Sequence, residues 1–473
     1  MMHHSLVGLP ARRLPVWRWF ALAFGCLVLS AGAAATQPAP TWRAGVASVV
    51  ITPETSMWMA GYASRTKPSE GVAQPLHAKA LALADERGGR FVFVTVDLIG
   101  TSRALRKALE IRLAQSHQLR PEQFVLVASH THSGPEMRPF KVPPGAGEAG
   151  PAALIPAYNA ALEDKIHALV GRALADLAPA RVGSTRARAG FAMNRRRPNK
   201  NGGYANAPHP DGPVDHDVPV LRVDGPDGRL RAVLFGYACH NTTLSAYQFC
   251  GDYAGYAQEY LQADHPGALA LFMTGCAGDQ NPYPRGTVAI AQTHGRTLAT
   301  AVDAALFAAA SPLTGTLQSA YAEIDLRYAP TPTRTEFEAR LASKDKLEAA
   351  HARRMLDHID REGALPASYP YPVQVVRLGD TLQLIALGGE VVVDYSLRLK
   401  RQFGGPGAVW IAGYSNDMMA YIPSERVLRE GGYEGGEAMR HSAHPGPWAS
   451  GLEEQIVGKV TELARPREAS ASR

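Results

Sequence analysis

The chain has 473 residues, 46% of them hydrophobic and 19% charged, which is the balance of a folded globular protein and excludes a disordered or collagen-like chain. That length can bury a core without help from disulfides or a structural metal, and it accommodates two or three domains or one large α/β domain. Arg12, Arg13 and Arg18 account for half of the formal charge of +6; the remaining chain is only about +3, and no Lys/Arg run is dense enough for a nucleic-acid footprint.

Residues 1–35 read as a secretory signal peptide. The three arginines form a positive n-region, residues 19–29 are apolar, and Ala33, Ala34 and Ala35 supply small residues for cleavage. The apolar run is short for a membrane span. A secreted or periplasmic protein is expected, with one catalytic domain over 36–465 and a disordered tail over 466–473. No later apolar run reaches about 18 residues, so the mature chain is expected to be soluble or to touch membranes only peripherally.

Along the chain, hydrophobic patterning predicts strands at 46–50 and 91–96, a helix at 103–115, a strand at 124–128 and a helix at 156–177. Strands follow at 219–223 and 232–237, a helix at 253–263, a strand at 269–273, and helices at 289–309 and 336–362. Strands at 382–387 and 409–412 and a helix at 452–463 complete the pattern. Several strands are continuous apolar runs, as for strands buried on both faces. The alternation predicts an α/β fold, a mixed-sheet α/β sandwich with helices packed on the sheets and the active site at the C-terminal ends of strands. The Gly/Pro-rich stretches 141–151 and 199–213 read as surface loops. Cys26 leaves with the signal. Cys239, Cys250 and Cys276 remain, an odd set with no C-x-x-C spacing, so at least one thiol is free and a cysteine zinc site is not expected.

Three apolar strands end in metal-ligating residue types. Residues 124–135 read FVLVASHTHSGP, so a buried strand runs into His130 and His132 before a turn. In an extended chain positions i and i+2 face one side, and imidazole is both a zinc ligand and a general acid/base. Residues 232–240, AVLFGYACH, place His240 at a second strand end. Residues 382–390, LQLIALGGE, place Glu390 after two glycines that permit close backbone approach. Each alone has a plainer reading, as a hydrogen-bonded loop histidine or a helix N-terminal acid. Together, two histidines and a glutamate make a hydrolytic zinc composition with room for a water. There is no H-E-x-x-H helix of the metalloprotease kind.

From Gly45 to about Ala464 the sequence resembles the neutral (non-lysosomal) ceramidases, zinc amidases of ceramide. The resemblance runs in order through GVASVVITP, MAGYASR, VFVTVDLIG, ASHTHSGPE, MNRRR, FGYACHNTT, TGCAGDQNP, LGGE, AGYSNDMMAYIPS and GGYEGG. It implies one Zn2+ per chain held by His130, His240 and Glu390, with Tyr421 as a further ligand. It implies that His132 contacts substrate or shuttles a proton, that Tyr433 hydrogen-bonds substrate, and that Arg197 lies in the active site. The implied partner is a lipid, ceramide or another N-acyl amine. Two departures stand out. The family carries a C-terminal immunoglobulin-like domain, whereas this sequence ends with the catalytic domain. Asn281 stands where the family has a serine, and an amide can donate to an oxyanion but is no serine-type nucleophile. Rival readings are a zinc amidase or esterase for another acyl substrate, a non-catalytic binding protein on the same scaffold, and a cysteine hydrolase using Cys276.

Overall fold

The computed structural model describes residues 41–142 and 153–465; the expected signal peptide and tail lie outside them. The strand at 91–96 illustrates how the layers arise. Phe91 and Phe93 enter one hydrophobic cluster, and the intervening Val92 and Val94 enter another on the opposite face. A strand of alternating side chains that are all apolar must be covered on both sides.

The larger sheet has the order Leu269–Thr274, Leu230–Tyr237, Asp217–Asp224, Ala178–Arg188, Trp42–Val50, His77–Asp85, Arg90–Val96, Phe124–Ala128. The outermost pair at each end is parallel, and the pairs between are antiparallel. The short strand Ser311–Pro312 attaches to Ala178–Arg188. A second, four-stranded sheet has the order Leu317–Arg327, Ser368–Leu378, Leu382–Leu387, Val409–Ala412. The sheets face each other across a core to which Phe93 and Leu271 contribute from one side and Leu384 and Trp410 from the other.

Helices cover the outer faces. Arg103–His117 and Leu154–Ala175 bury Leu109 and Ile166 against one half of the large sheet. Asp252–Asp264 and Val288–Phe307 cover the other half through Tyr253 and Leu298. Val393–Gln402 and Leu452–Leu463 cover the small sheet through Leu399 and Ile456. This is the mixed-sheet α/β sandwich expected from the sequence. Among the described residues no helix is long and apolar enough to cross a membrane.

The large sheet is rolled so that strands from opposite ends of its order meet. The Thr274 hydroxyl donates to the Ala128 carbonyl at 2.9 Å, and Lys79 Nζ donates to Ala270 at 2.8 Å. Beyond them Thr131 and Asn241 form a parallel bridge. The segments carrying His130 and His240 are thereby brought together.

Several expectations are corrected. The strand His77–Asp85, central to the sheet, is missing from the predicted elements: its Ala/Leu/Lys composition favours helix, and pairing on both edges overrides that propensity. The helix expected at 336–362 is two helices, Arg334–Arg340 and Lys346–Glu362. Asp345 caps the second by accepting from the Leu347 and Glu348 amides. The 199–213 loop contains a strand, Tyr204–His209, paired with Ala192–Pro198.

Candidate metal centre

His130 and His240 are held by their backbones and by the inner nitrogens of their rings. The His130 amide donates to Leu98 and its Nδ1 lies 2.5 Å from the Ile99 carbonyl. The His240 amide donates to Gln280 and its Nδ1 lies 2.7 Å from the Ala277 carbonyl. A carbonyl only accepts, so each Nδ1 carries the proton, and a neutral ring then offers Nε2 as a bare lone pair. The two Nε2 atoms are 3.2 and 3.3 Å from the same oxygen, Oε2 of Glu390. That oxygen is buried and has no hydrogen-bond partner.

Glu390 reaches this point because the chain before it is glycine. Gly389 has φ +74°, and a Cβ there would meet the Ala420 carbonyl oxygen at 2.7 Å. Only glycine allows this close approach in that conformation. The next residue pairs in parallel with Tyr421.

His132 joins the cluster by a route other than strand alternation. His130 has φ +61°, so His-Thr-His is a turn and not an extended segment. The His132 and His130 Nε2 atoms are nonetheless 3.2 Å apart. The chain at 59–65 clamps His132 from outside: the Tyr62 ring lies 4.9 Å from its ring, and Arg65 donates to its carbonyl at 2.7 Å. Burial, then the neighbouring His130 and His240, hold His132 well below the ordinary imidazole range. Burial and Arg195 push His240 down to about 3. Ligand nitrogens of His130, His132 and His240 all lie within 4.8 Å of one another, a group that could hold a metal ion.

Tyr421 Oη is 3.4 Å from His240 Nε2 and accepts from Arg195 Nη2 at 2.9 Å. Tyr433 packs with its ring centroid 5.4 Å from that of Tyr421 and is 37% exposed, so it lines the mouth and not the floor. Asn281 is buried; its Oδ1 accepts from Arg195 Nη1 at 3.2 Å, and its Nδ2 makes only long contacts of 3.5 Å to Asn206 and Tyr283.

The arginine that touches this cluster is Arg195, whereas Arg197, expected in the active site, lies outside it. Arg195 is buried; Nε donates to Glu434 at 2.8 Å, while Nη1 and Nη2 reach His240, Asn281 and Tyr421. Arg196 takes the other Glu434 oxygen at 2.8 Å. Arg197 is exposed next to the strand end at Pro198 and makes no hydrogen bond or ion pair with the described residues. Strand ends leave the cover of neighbouring segments, and the three adjacent arginines could not be ranked without knowing where the strand stopped.

Sequence reasoning also missed Glu434, Tyr62 and Tyr414. Tyr414 is fully buried, lies 4.4 Å ring to ring from His130, and has an unpartnered hydroxyl. A signal existed for Glu434, an acid inside a Gly-rich stretch facing three arginines in charge though not in sequence. None existed for Tyr414.

Residues 42–320 match the family described as neutral/alkaline non-lysosomal ceramidase, N-terminal. The chain belongs to this family. As a ceramidase-family member it is read as a hydrolase. A neutral ceramidase of Mycobacterium tuberculosis is 25% identical over 497 residues, spanning 86% of this chain and 74% of that protein. Neutral ceramidase 2 of Arabidopsis thaliana is 36% identical over 94 residues, 12% of that protein. The crystal structure of neutral ceramidase from Pseudomonas aeruginosa superposes with a TM-score of 0.69 at 20% identity, covering 92% of this chain and 76% of that one. A ceramidase complexed with C2 matches with the same TM-score. These structures share the fold in which the four segments converge.

Proposed function

We propose that this chain hydrolyses the N-acyl amide bond of ceramide or a related N-acyl lipid at a zinc ion held by His130, His240 and Glu390, with Tyr421 beside it. One observation carries the reading. The Nε2 atoms of His130 and His240 lie 3.2 and 3.3 Å from one buried Glu390 oxygen that has no hydrogen-bond partner of its own. Of these atoms Arg195 Nη1 reaches only His240 Nε2, at 3.2 Å, so the carboxylate oxygen and the His130 nitrogen are left facing each other without a donor between them, and the donor types suit zinc. When bound, zinc supplies Lewis acidity toward the amide carbonyl and lowers the pKa of water.

The chain's own residues do the rest. The Nδ1–carbonyl bonds of His130 and His240 fix ring orientation before substrate arrives. His132, whose Nε2 faces the cluster, takes a proton from the attacking water and passes it to the amine nitrogen as the carbon–nitrogen bond breaks. Arg195 holds Tyr421 and Asn281 in place. Asn281 Nδ2 is a weakly committed donor available to the polar groups of the substrate, and Tyr433 lies at the entrance where those groups pass. Water attacks directly: Asn281 offers no nucleophile at the position of the family serine, and the three described cysteines are buried. Cys276 is fully buried in the core, and burial pushes its thiol far up, which argues against the cysteine hydrolase.

The N-terminal pattern of Arg12 to Ala35 supports export, which N-terminal sequencing of the mature protein from the extracellular or periplasmic fraction would check. The test of the reaction is metal analysis and amide hydrolysis on one preparation. About one zinc per chain is expected, with turnover lost on chelation and restored by zinc. Full turnover by metal-free protein would overturn it.

A further inference from the structure

The floor of the cleft is electrostatically closed: Arg195 and Arg196 share Glu434. The mouth is not. The short turn Pro139–Lys141 and the helix Lys346–Glu362 bring Lys141 and Arg354 to Phe140, which is 44% exposed, with Arg138 and Arg440 on neighbouring segments. Two of them are neutralised: Arg138 chelates Glu136 at 2.7 and 2.9 Å, and Arg440 pairs with Asp345 at 3.0 Å. The other two are not. Arg354 donates only to the backbone carbonyls of Ser442 and Arg440, at 3.2 and 2.7 Å. The Lys141 ammonium makes no hydrogen bond or ion pair with the described residues; it lies 5.9 Å from the centre of the Phe140 ring, and so does the Arg354 guanidinium.

This cluster adjoins the reaction site. The Tyr433 ring lies 5.4 Å from that of Tyr421 on one side and 6.1 Å from that of His441 on the other. The charge of Glu390 acts on both Arg138 and Lys141. Burial, with Arg138 and Arg354 adding repulsion, pushes Lys141 down to about 8. Two cations with no carboxylate partner among the described residues, crowded together, cost free energy that a bound anion removes.

The geometry points to an anion subsite, Lys141 and Arg354, that selects N-acyl lipids bearing a phosphate, sulfonate or carboxylate on the polar head beside the amide. This rests on the amide-hydrolase reading above. The exposed Phe140, 5.9 Å from each cation, offers apolar contact to the adjoining chain of the same lipid.

The test compares two probes in neutral phosphatidylcholine micelles: an N-dodecanoyl sphingoid base, and the same molecule with phosphate on its primary hydroxyl. The zinc-loaded full chain should prefer the phosphorylated probe in kcat/KM by about 10–100-fold, as charge-assisted contacts provide, with the preference shrinking as salt rises. In Lys141→Ala/Arg354→Ala the ratio should fall toward one. Lys141→Arg should retain it, and so should Lys346→Ala, which removes a charge outside the cluster. If the double variant does not fold, Lys141→Gln alone should still lower the ratio. A wild-type ratio of one or less overturns the subsite. So does an equal stimulation of the neutral probe by phosphatidylglycerol that the variants lose, because the cations would then serve neighbouring headgroups. A second arm measures calorimetric binding of dodecyl phosphate against dodecanol. Binding of the phosphate that depends on Lys141 and Arg354, in a protein that hydrolyses neither amide, keeps the subsite and removes the hydrolase reading. Absence of that binding removes the subsite.

Discussion

The floor and the mouth of the cleft are built on opposite principles. On the floor the histidine rings and the arginines are oriented by fixed partners: Ile99 and Ala277 carbonyls fix His130 and His240, and Glu434 fixes two arginines. At the mouth, Tyr433 and Phe140 are exposed, and Lys141 and Arg354 have no carboxylate partner among the described residues. Preorganised groups in a buried site can act on a transition state without reorganising. Unpaired groups at a rim are available to whatever arrives. The contrast assigns chemistry to the floor and choice of substrate to the mouth.

The comparison can be broken at the floor first. His130→Ala or His240→Ala should abolish zinc binding and cut kcat/KM by on the order of 10⁴-fold or more, beyond what a lost proton-transfer group explains; metal content and turnover on one sample decide it. Retained zinc in either variant would remove that ligand from the set. His132→Ala should keep the metal and lose about 10²–10⁴-fold in rate. If it loses zinc as well, His132 belongs with the ligands.

Glu434→Gln should be felt mainly as stability, about 3–5 kcal/mol by urea unfolding, because it leaves two buried guanidiniums short of a counter-charge. Although burial opposes its ionisation, Arg195 and Arg196 hold the Glu434 carboxyl below its ordinary value. Its contribution is therefore present above the unfolded pKa of about 4.3 and is lost as pH falls through the depressed folded value. Stability measured from pH 6 downward should lose part of its acid limb in the variant. Asn281→Ala should cost roughly 10–10³-fold in kcat, the range for one positioning donor, and Asn281→Ser should recover most of it. Rapid-quench kinetics of the parent protein should show no product burst and no acyl adduct by intact mass; a burst with an adduct would refute direct attack by water. The smallest effect is expected at Arg197→Ala, within about 0.5 kcal/mol in stability and with turnover close to the parent. A loss comparable to that of Arg195→Ala would restore Arg197 to the site.

Legibility in the sequence follows the same division. His130, His240 and Glu390 could be read because each ends an apolar strand, and strand ends in α/β sheets gather ligands. The sandwich was legible from doubly apolar strands such as 91–96. His77–Asp85 was not, since local propensity pointed to helix and only pairing with Trp42–Val50 and Arg90–Val96 decides it. His132 was expected at the site for the wrong geometric reason: the turn at His130, not strand alternation, aims it inward. The choice of Arg195 over Arg197 depends on the end of one strand and on Glu434, which is 239 positions away. Lys141 and Arg354 come from distant segments whose juxtaposition has no local signature.

The rolled sheet has a consequence for when the protein becomes active. His130 and His240 meet only after the strands at the two ends of the sheet have closed on each other, and Glu390 and Tyr421 arrive from the second sheet. A chain emerging from the ribosome has no complete donor set until residue 421 is out, and pairings this remote in sequence form late and slowly. On the proposed reading, hydrolytic competence is thus acquired at the end of folding, and a chain truncated before residue 421 carries none of it.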